Sequence, residues 1–316
     1  MERDSLETVF AGEPLLLMEG ALGERLKREY HIPIDGTLAM APLYRDRTSA
    51  DALHTLWREY AAVAGEYRLP ILLTAPTRRL NQERVGLCGA DGDALTAGNM
   101  THLSSVAKTL SAEFGIPVFS GALMGCRGDA YTGAGALDAD TAYDFHAWAA
   151  QRFARAGAEF LYAGIMPTLP EARGMARAMA DTGLPYLISF TVRRDGCLAD
   201  GTPIADAIAD IDAAVPNLPL CYMTNCVHPD IAAGALSAAC NDCDTVRERF
   251  LGIQVNTSPL SYDALDGAEE LYTSSPQSLA DAVSALRQKH GLKLFGGCCG
   301  TDASHLRAMA ACLTQN

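Results

Sequence analysis

Short apolar runs bounded by glycine, proline or polar residues recur along the chain, each followed by a longer, alanine-rich stretch of helical spacing. Runs that are apolar at consecutive positions read as strands covered on both faces, and the longer stretches as helices packed on one side. The strands fall at 15–19, 70–74, 117–121, 159–163, 185–190, 218–223, 251–256 and 292–295. Helical patterns lie at 49–64, 99–114, 141–156, 169–181, 204–214, 229–239, 278–290 and 304–313, closed by glycine, proline or polar residues. Eight rounds of strand then helix predict a single (β/α)8 TIM barrel over residues 1–316; a doubly wound open sheet is the alternative. The glycine-rich stretch 121–138 lacks either periodicity and is expected to lie as a long loop over the barrel mouth.

Composition narrows the class. With 316 residues and 49% hydrophobic content the chain can fill one large core. A net charge of −13 argues against nucleic acid, whose phosphates need a basic footprint, and serves solubility. No apolar run approaches the roughly 18 residues of a membrane helix. Met1-Glu2-Arg3-Asp4 carries charges of both signs and lacks the apolar stretch of a signal peptide. Ten irregularly spaced cysteines do not form a secreted disulfide framework. A reducing cytoplasm, small-molecule partners and some thiols kept for metal are expected; a homo-oligomer stays open.

The chemistry concentrates in two motifs. Gly296-Gly297-Cys298-Cys299-Gly300-Thr301-Asp302 follows the eighth strand. Neighbouring strand side chains point to opposite faces, so both thiols meet one ion only if the backbone turns, which the flanking glycines permit. Two thiolates make half of a tetrahedral zinc site, and a third would leave one position for a substrate. Cys226 is the obvious third, in Thr224-Asn225-Cys226-Val227-His228-Pro229 after the sixth strand. The bland reading, small buried thiols, loses ground because both motifs fall at strand C-termini, the face that carries barrel active sites. Cys240-x-x-Cys243 has zinc or redox spacing but no partner pair, and reads as two free thiols on the far side of the barrel. Cys88, Cys197, Cys221 and Cys312 read as ordinary cysteines. His228, next to Pro229, reads as a helix start rather than a fourth ligand. Arg127 and Asp129 either clamp a methyl donor or pair with each other to order their loop.

With these motifs in place, nearly the whole chain resembles the homocysteine S-methyltransferase family of zinc-dependent barrels. The resemblance is carried by Glu19-Gly20-Ala21-Leu22-Gly23, by Ser189-Phe190-Thr191-Val192 with Asp195-Gly196 and Gly201, and by Asn225-Cys226 with His228-Pro229. Asn256, Leu265-Asp266-Gly267-Ala268-Glu269-Glu270-Leu271 and the 296–302 run complete it. It implies Zn2+ on Cys226, Cys298 and Cys299, and an acceptor pocket formed by Glu19, Gly20, Ala21, Asn225 and Asn256. It also implies methyl transfer to a thiol, homocysteine giving methionine. The donor would be S-methylmethionine, S-adenosylmethionine, a betaine or a corrinoid, the last on a separate protein. A chain of this length has no room for its own donor module, which favours a free small donor. Three thiolates on zinc form an electron-rich site that lowers a thiol's pKa from about 8.5 yet leaves it nucleophilic.

Three departures stand out. The family places a glutamate for the substrate ammonium at the end of the fourth strand, where this chain has Ala163-Gly164-Ile165-Met166-Pro167. Glu19 stands where aspartate is usual, one methylene longer, and Cys126 where relatives tend to have proline. Either Glu19 alone reaches the ammonium, or the acceptor is another thiol. A zinc hydrolase or lyase, and a non-catalytic zinc or thiol sensor, are the competing classes.

Overall fold

The computed structural model describes residues 4–34, 36–258 and 274–315. Its centre is a closed barrel of eight parallel strands in chain order. They are β1 (Leu16–Met18), β2 (Ile71–Ala75), β3 (Val118–Gly125), β4 (Phe160–Met166), β5 (Tyr186–Phe190), β6 (Cys221–Val227), β7 (Phe250–Val255) and β8 (Leu294–Gly297). β8 closes on β1 through Leu16 opposite Leu294 and Leu17 opposite Phe295. The predicted barrel is present, and the open sheet is excluded.

Several boundaries differ from the hydrophobic pattern. β3, β4 and β6 run three or more residues past their predicted ends, so Gly164 and Cys226 lie within strands rather than after them. In β6 the added residues begin with the polar Thr224 and Asn225, where the apolar run stops. In β3 and β4 they include Leu123, Met124, Ile165 and Met166, and pairing with the neighbouring strands carries the ladder past the glycines Gly121 and Gly164. The chain also forms short helices the pattern did not reveal, Leu6–Gly12, Gly23–Glu29, Gln82–Cys88 and Asp244–Arg249, and the helix before β3 begins at Gly92. The 265–271 run lies outside the described residues.

Two apolar layers hold the barrel. One lies between strands and helices and includes Trp57, Tyr60, Met100, Phe153, Phe190 and Phe295. The other fills the interior with Leu16, Met18, Leu72, Phe119, Phe160, Leu187, Met223 and Leu294. Leu6, Val9 and Phe10 of the helix Leu6–Gly12 join this interior cluster. Lys293, at the foot of β8, donates to the Phe10 carbonyl oxygen, so this helix plugs the N-terminal end of the barrel. The opposite end is left to polar residues.

The plug is structural and remote from the mouth. Phe10→Ala should destabilise the protein by about 3 kcal/mol in urea unfolding, the usual cost of emptying a buried aromatic site, without changing metal affinity.

Candidate metal centre

Cys226, Cys298 and Cys299 meet at the C-terminal mouth. Their sulfurs lie within 4.8 Å of one another, 3.5 Å for Cys226 to Cys299 and 4.0 Å for Cys298 to Cys299. A tetrahedral ion with Zn–S bonds of 2.3 Å spaces its sulfurs about 3.8 Å apart, so the three thiols fit zinc. Among the described residues no other cluster of metal-ligating side chains reaches this proximity. Cys226 is buried, Cys298 half-buried and Cys299 exposed, which leaves one side of the cluster open.

Local backbone conformation brings the sulfurs round. Cys226 has φ +59°, in the left-handed region, and shifts the register of β6 against β7. Ile165 has φ +55° and does the same to β4 against β5. A left-handed cysteine costs a kcal/mol or more and a β-branched residue there is rarer still. Asn225 supports both, since its Oδ1 accepts from Ile165 N at 3.0 Å and from the Ser189 hydroxyl.

The paired cysteines turn immediately after β8. Cys298 N donates to Val255 O at 2.7 Å, and Gly300, at φ +80°, completes the turn. Thr301 Oγ1 donates to Cys298 O at 2.7 Å and accepts from Ala21 N at 3.2 Å. A Cβ on Gly297 would lie 2.1 Å from that hydroxyl, so only glycine admits the junction.

Hydrogen bonds from Cys298 and Cys299 hold the Cys226 thiol well below the ordinary thiol range. The same contacts with Cys226 push Cys298 and Cys299 up.

Below the sulfurs lies a polar layer. Glu19 is buried and accepts from Thr74 N at 2.7 Å, with the Thr74 hydroxyl on its other oxygen. Burial pushes its carboxyl up to about 8 against these hydrogen bonds. Tyr162 donates to Gln254 Oε1 at 2.8 Å, and Gln254 Nε2 donates to Glu19 O at 3.4 Å.

The other expected pocket residues serve the backbone. A Cβ on Gly20 would strike the Tyr60 ring at 2.7 Å, and Tyr60 donates to Ala21 O at 2.7 Å. The Ala21 amide is taken by Thr301, and Asn256 Oδ1 accepts from Ser258 N at 2.9 Å. His228 caps the helix Pro229–Leu236, with Nδ1 accepting from Asp230 N at 3.3 Å, and lies outside the sulfur cluster. Cys240 and Cys243 are also outside it, but not on the far side of the barrel as expected: Cys240 Sγ sits 3.8 Å from Asp195 O, in the loop that follows the C-terminal end of β5.

The stretch after β3 does lie over the mouth, but its two charges do not pair with each other. Arg127 reaches Glu83 at 2.9 Å, while Asp129 Oδ1 accepts from Tyr131 N and Thr132 N at 2.8 and 2.7 Å. Loop geometry separated them, and Asp129 forms the turn. Cys126 packs beside Ile165 and Cys226, its thiol pushed up to about 12 by burial. Sequence reading missed Tyr131, whose hydroxyl lies 3.7 Å from Cys226 Sγ. A lone tyrosine in a glycine-rich loop carries no signal of its own.

The family model for homocysteine S-methyltransferase matches residues 16–313. The chain belongs to the homocysteine S-methyltransferase family. It is 23% identical to the homocysteine S-methyltransferase YbgG of Bacillus subtilis, covering 94% of each chain. It is also 23% identical to a homocysteine S-methyltransferase of Escherichia coli, over 98% of this chain and 99% of that one. The metallated form of the E. coli homocysteine methyltransferase MmuM superposes with a TM-score of 0.77 at 19% identity, over 98% and 99% of the two chains. No helix among the described residues is long and apolar enough to cross a membrane.

The raised Glu19 carboxyl gives a stability signature. Its neutral form is favoured in the fold, so its contribution is full below about 4.5 and lost as pH rises through about 8. Denaturant titrations across that window should show wild type losing stability relative to Glu19→Gln by up to about 1.4 kcal/mol per pH unit.

Proposed function

We propose that this chain is a zinc-dependent S-methyltransferase with homocysteine as its acceptor. The observation that carries this reading is the meeting of three thiols from two strand ends, at zinc-compatible separations, in a barrel of this family. Cys226, Cys298 and Cys299 would hold the ion, which supplies an electron-rich centre able to keep a thiol deprotonated and nucleophilic at neutral pH. Asn225 and Thr301 hold the two cysteine turns, and the exposed side of the cluster is where a small acceptor and a small methyl donor can meet. S-methylmethionine, S-adenosylmethionine and betaines are donors of suitable size; a methylated corrinoid would come on a separate protein.

Glu19 is the residue for the acceptor's ammonium. Its carboxyl stays protonated toward pH 8 because it is buried without a cation. A bound ammonium would supply that cation and draw the proton off, so affinity for amino-acid thiols should rise with pH up to about 8. Gly164 offers no side chain on β4, and its Cβ position abuts Leu123 Cδ1 at 2.7 Å. Recognition of the ammonium therefore falls on Glu19. The names of the two bacterial relatives support homocysteine over other thiols.

Purified protein should contain about one zinc per chain, and serine at Cys226, Cys298 or Cys299 should remove metal and activity together. Full zinc in the triple variant would refute the ligand set. Chelation should leave the far-ultraviolet circular dichroism intact, because a barrel with its own core does not need the metal to fold.

Glu19→Gln should weaken homocysteine binding by about one to two decades, the worth of a charge-assisted hydrogen bond of roughly 1.5 to 3 kcal/mol. Zinc content and binding of 3-mercaptopropionate, which lacks the amino group, should not change. A wild-type preference for the amine-free thiol would remove homocysteine as the acceptor while leaving the metal assignment in place. A donor screen scored by methylated thiol identifies the second substrate.

A further inference from the structure

Segment 126–138 leaves β3 and returns at the helix Ala139–Arg155. The Asp129 turn lays Ala130 against Ile165 and Cys226 and brings the Tyr131 hydroxyl to Cys226 Sγ. Thr191 Oγ1 donates to Ala130 O at 2.6 Å and fixes the turn from β5's side. Both ends of the segment run to one group outside the barrel. Glu171, on the helix Leu169–Ala180, accepts from Arg127 N at 2.6 Å through Oε1 and from Leu137 N at 3.4 Å through Oε2.

Glu171 is wholly buried, and its third partner is His146 Nε2 at 3.1 Å, itself 2% exposed. Burial lowers the His146 pKa, so the neutral ring donates its Nε2 proton to the carboxyl group. Gly174, one helical turn from Glu171, allows the two helices to touch, since a Cβ there would lie 2.4 Å from Ala139 O. A buried carboxyl group is costly unless all its hydrogen bonds are made. This one spends them on the two ends of a segment that crosses the metal centre, and it touches none of the three thiols.

We propose that Glu171 is a positioning residue that holds segment 126–138 as a strap across the thiols, so that Tyr131 bonds to the Cys226 sulfur and limits the size of thiol that can approach. The acceptor half of this inference rests on the methyltransferase reading; the strap half does not.

The test uses the full chain in two states. In metal-stripped protein, alkylation by iodoacetamide is followed at each cysteine by peptide mass mapping. Cys221, fully buried in the barrel interior, serves as the internal reference. Glu171→Gln keeps the volume of the slot but cannot accept from both strap ends, and loss of one such bond should speed Cys226 alkylation about tenfold. Tyr131→Ala should do the same without touching the anchor, and Cys221 should stay protected in both. An unchanged Cys226 rate, or equal acceleration at Cys221, would overturn the strap.

In zinc-loaded protein, KM and kcat are compared for homocysteine and for a thiol branched beside the sulfur. Both variants should lower KM for the branched thiol relative to homocysteine by a similar factor, whereas a merely structural role would depress kcat for both thiols alike. Unchanged selectivity would overturn the acceptor half. Absence of methyl transfer in wild type would sink the methyltransferase reading and leave the alkylation result to decide the strap.

Discussion

Because β8 must close on β1 to leave no free sheet edge, residues at opposite ends of the chain are forced together at the mouth. The closure brings Gly297 beside Gly20, and a Cβ on Gly297 would lie 3.1 Å from Gly20 Cα and 2.1 Å from the Thr301 hydroxyl. Thr301 then bridges Cys298 O and Ala21 N, and the turn it holds carries Cys298 and Cys299 toward Cys226, 73 residues away in sequence. The meeting of the three thiols is thus a product of barrel closure, with Thr301 fastening the seam.

The strained backbone follows from the same requirement. A regular β6 would hold successive side chains on opposite faces, but both Asn225 and Cys226 have work at the mouth. The left-handed turn at Cys226 allows it, and Asn225 repays the distortion by taking the Ile165 amide that the parallel irregularity in β4 frees. Two local departures from strand geometry therefore share one stabilising side chain. That coupling makes Asn225 a support of the site from beneath.

Electrostatics arranges the layers beneath and above. Apolar filling occupies the lower barrel, so Glu19 sits at a boundary where its charge is poorly solvated. Thr74 supplies its hydrogen bonds but no positive charge, so burial prevails and holds the carboxyl up to about 8. Above the sulfurs, Asp129 and Glu171 order a loop that would otherwise be free to vary, the first from within its turn and the second from the helical layer. The mouth is shaped from both sides by carboxyl groups whose partners are mostly backbone amides.

Much of this was legible in the residues themselves. Apolar runs and helical spacing determine the eightfold alternation, since each period buries one kind of face, and Gly-Gly-Cys-Cys-Gly with Asn-Cys at two strand ends marks the three thiols that meet at the mouth. Glu19 was readable too, as an acid at the end of the first strand. Tertiary structure alone decided what contacts across the barrel could decide. It ran β6 through Cys226 by pairing it with β7, and it turned Asn225, Asn256 and Ala21 toward backbone partners. It separated Arg127 from Asp129, and it joined Glu171 and His146 to a loop far from them in sequence. Local pattern records which face of an element is buried, because that depends on near neighbours. Which hydrogen-bond partner a polar group finds depends on residues brought close only by closure, and no local period encodes it.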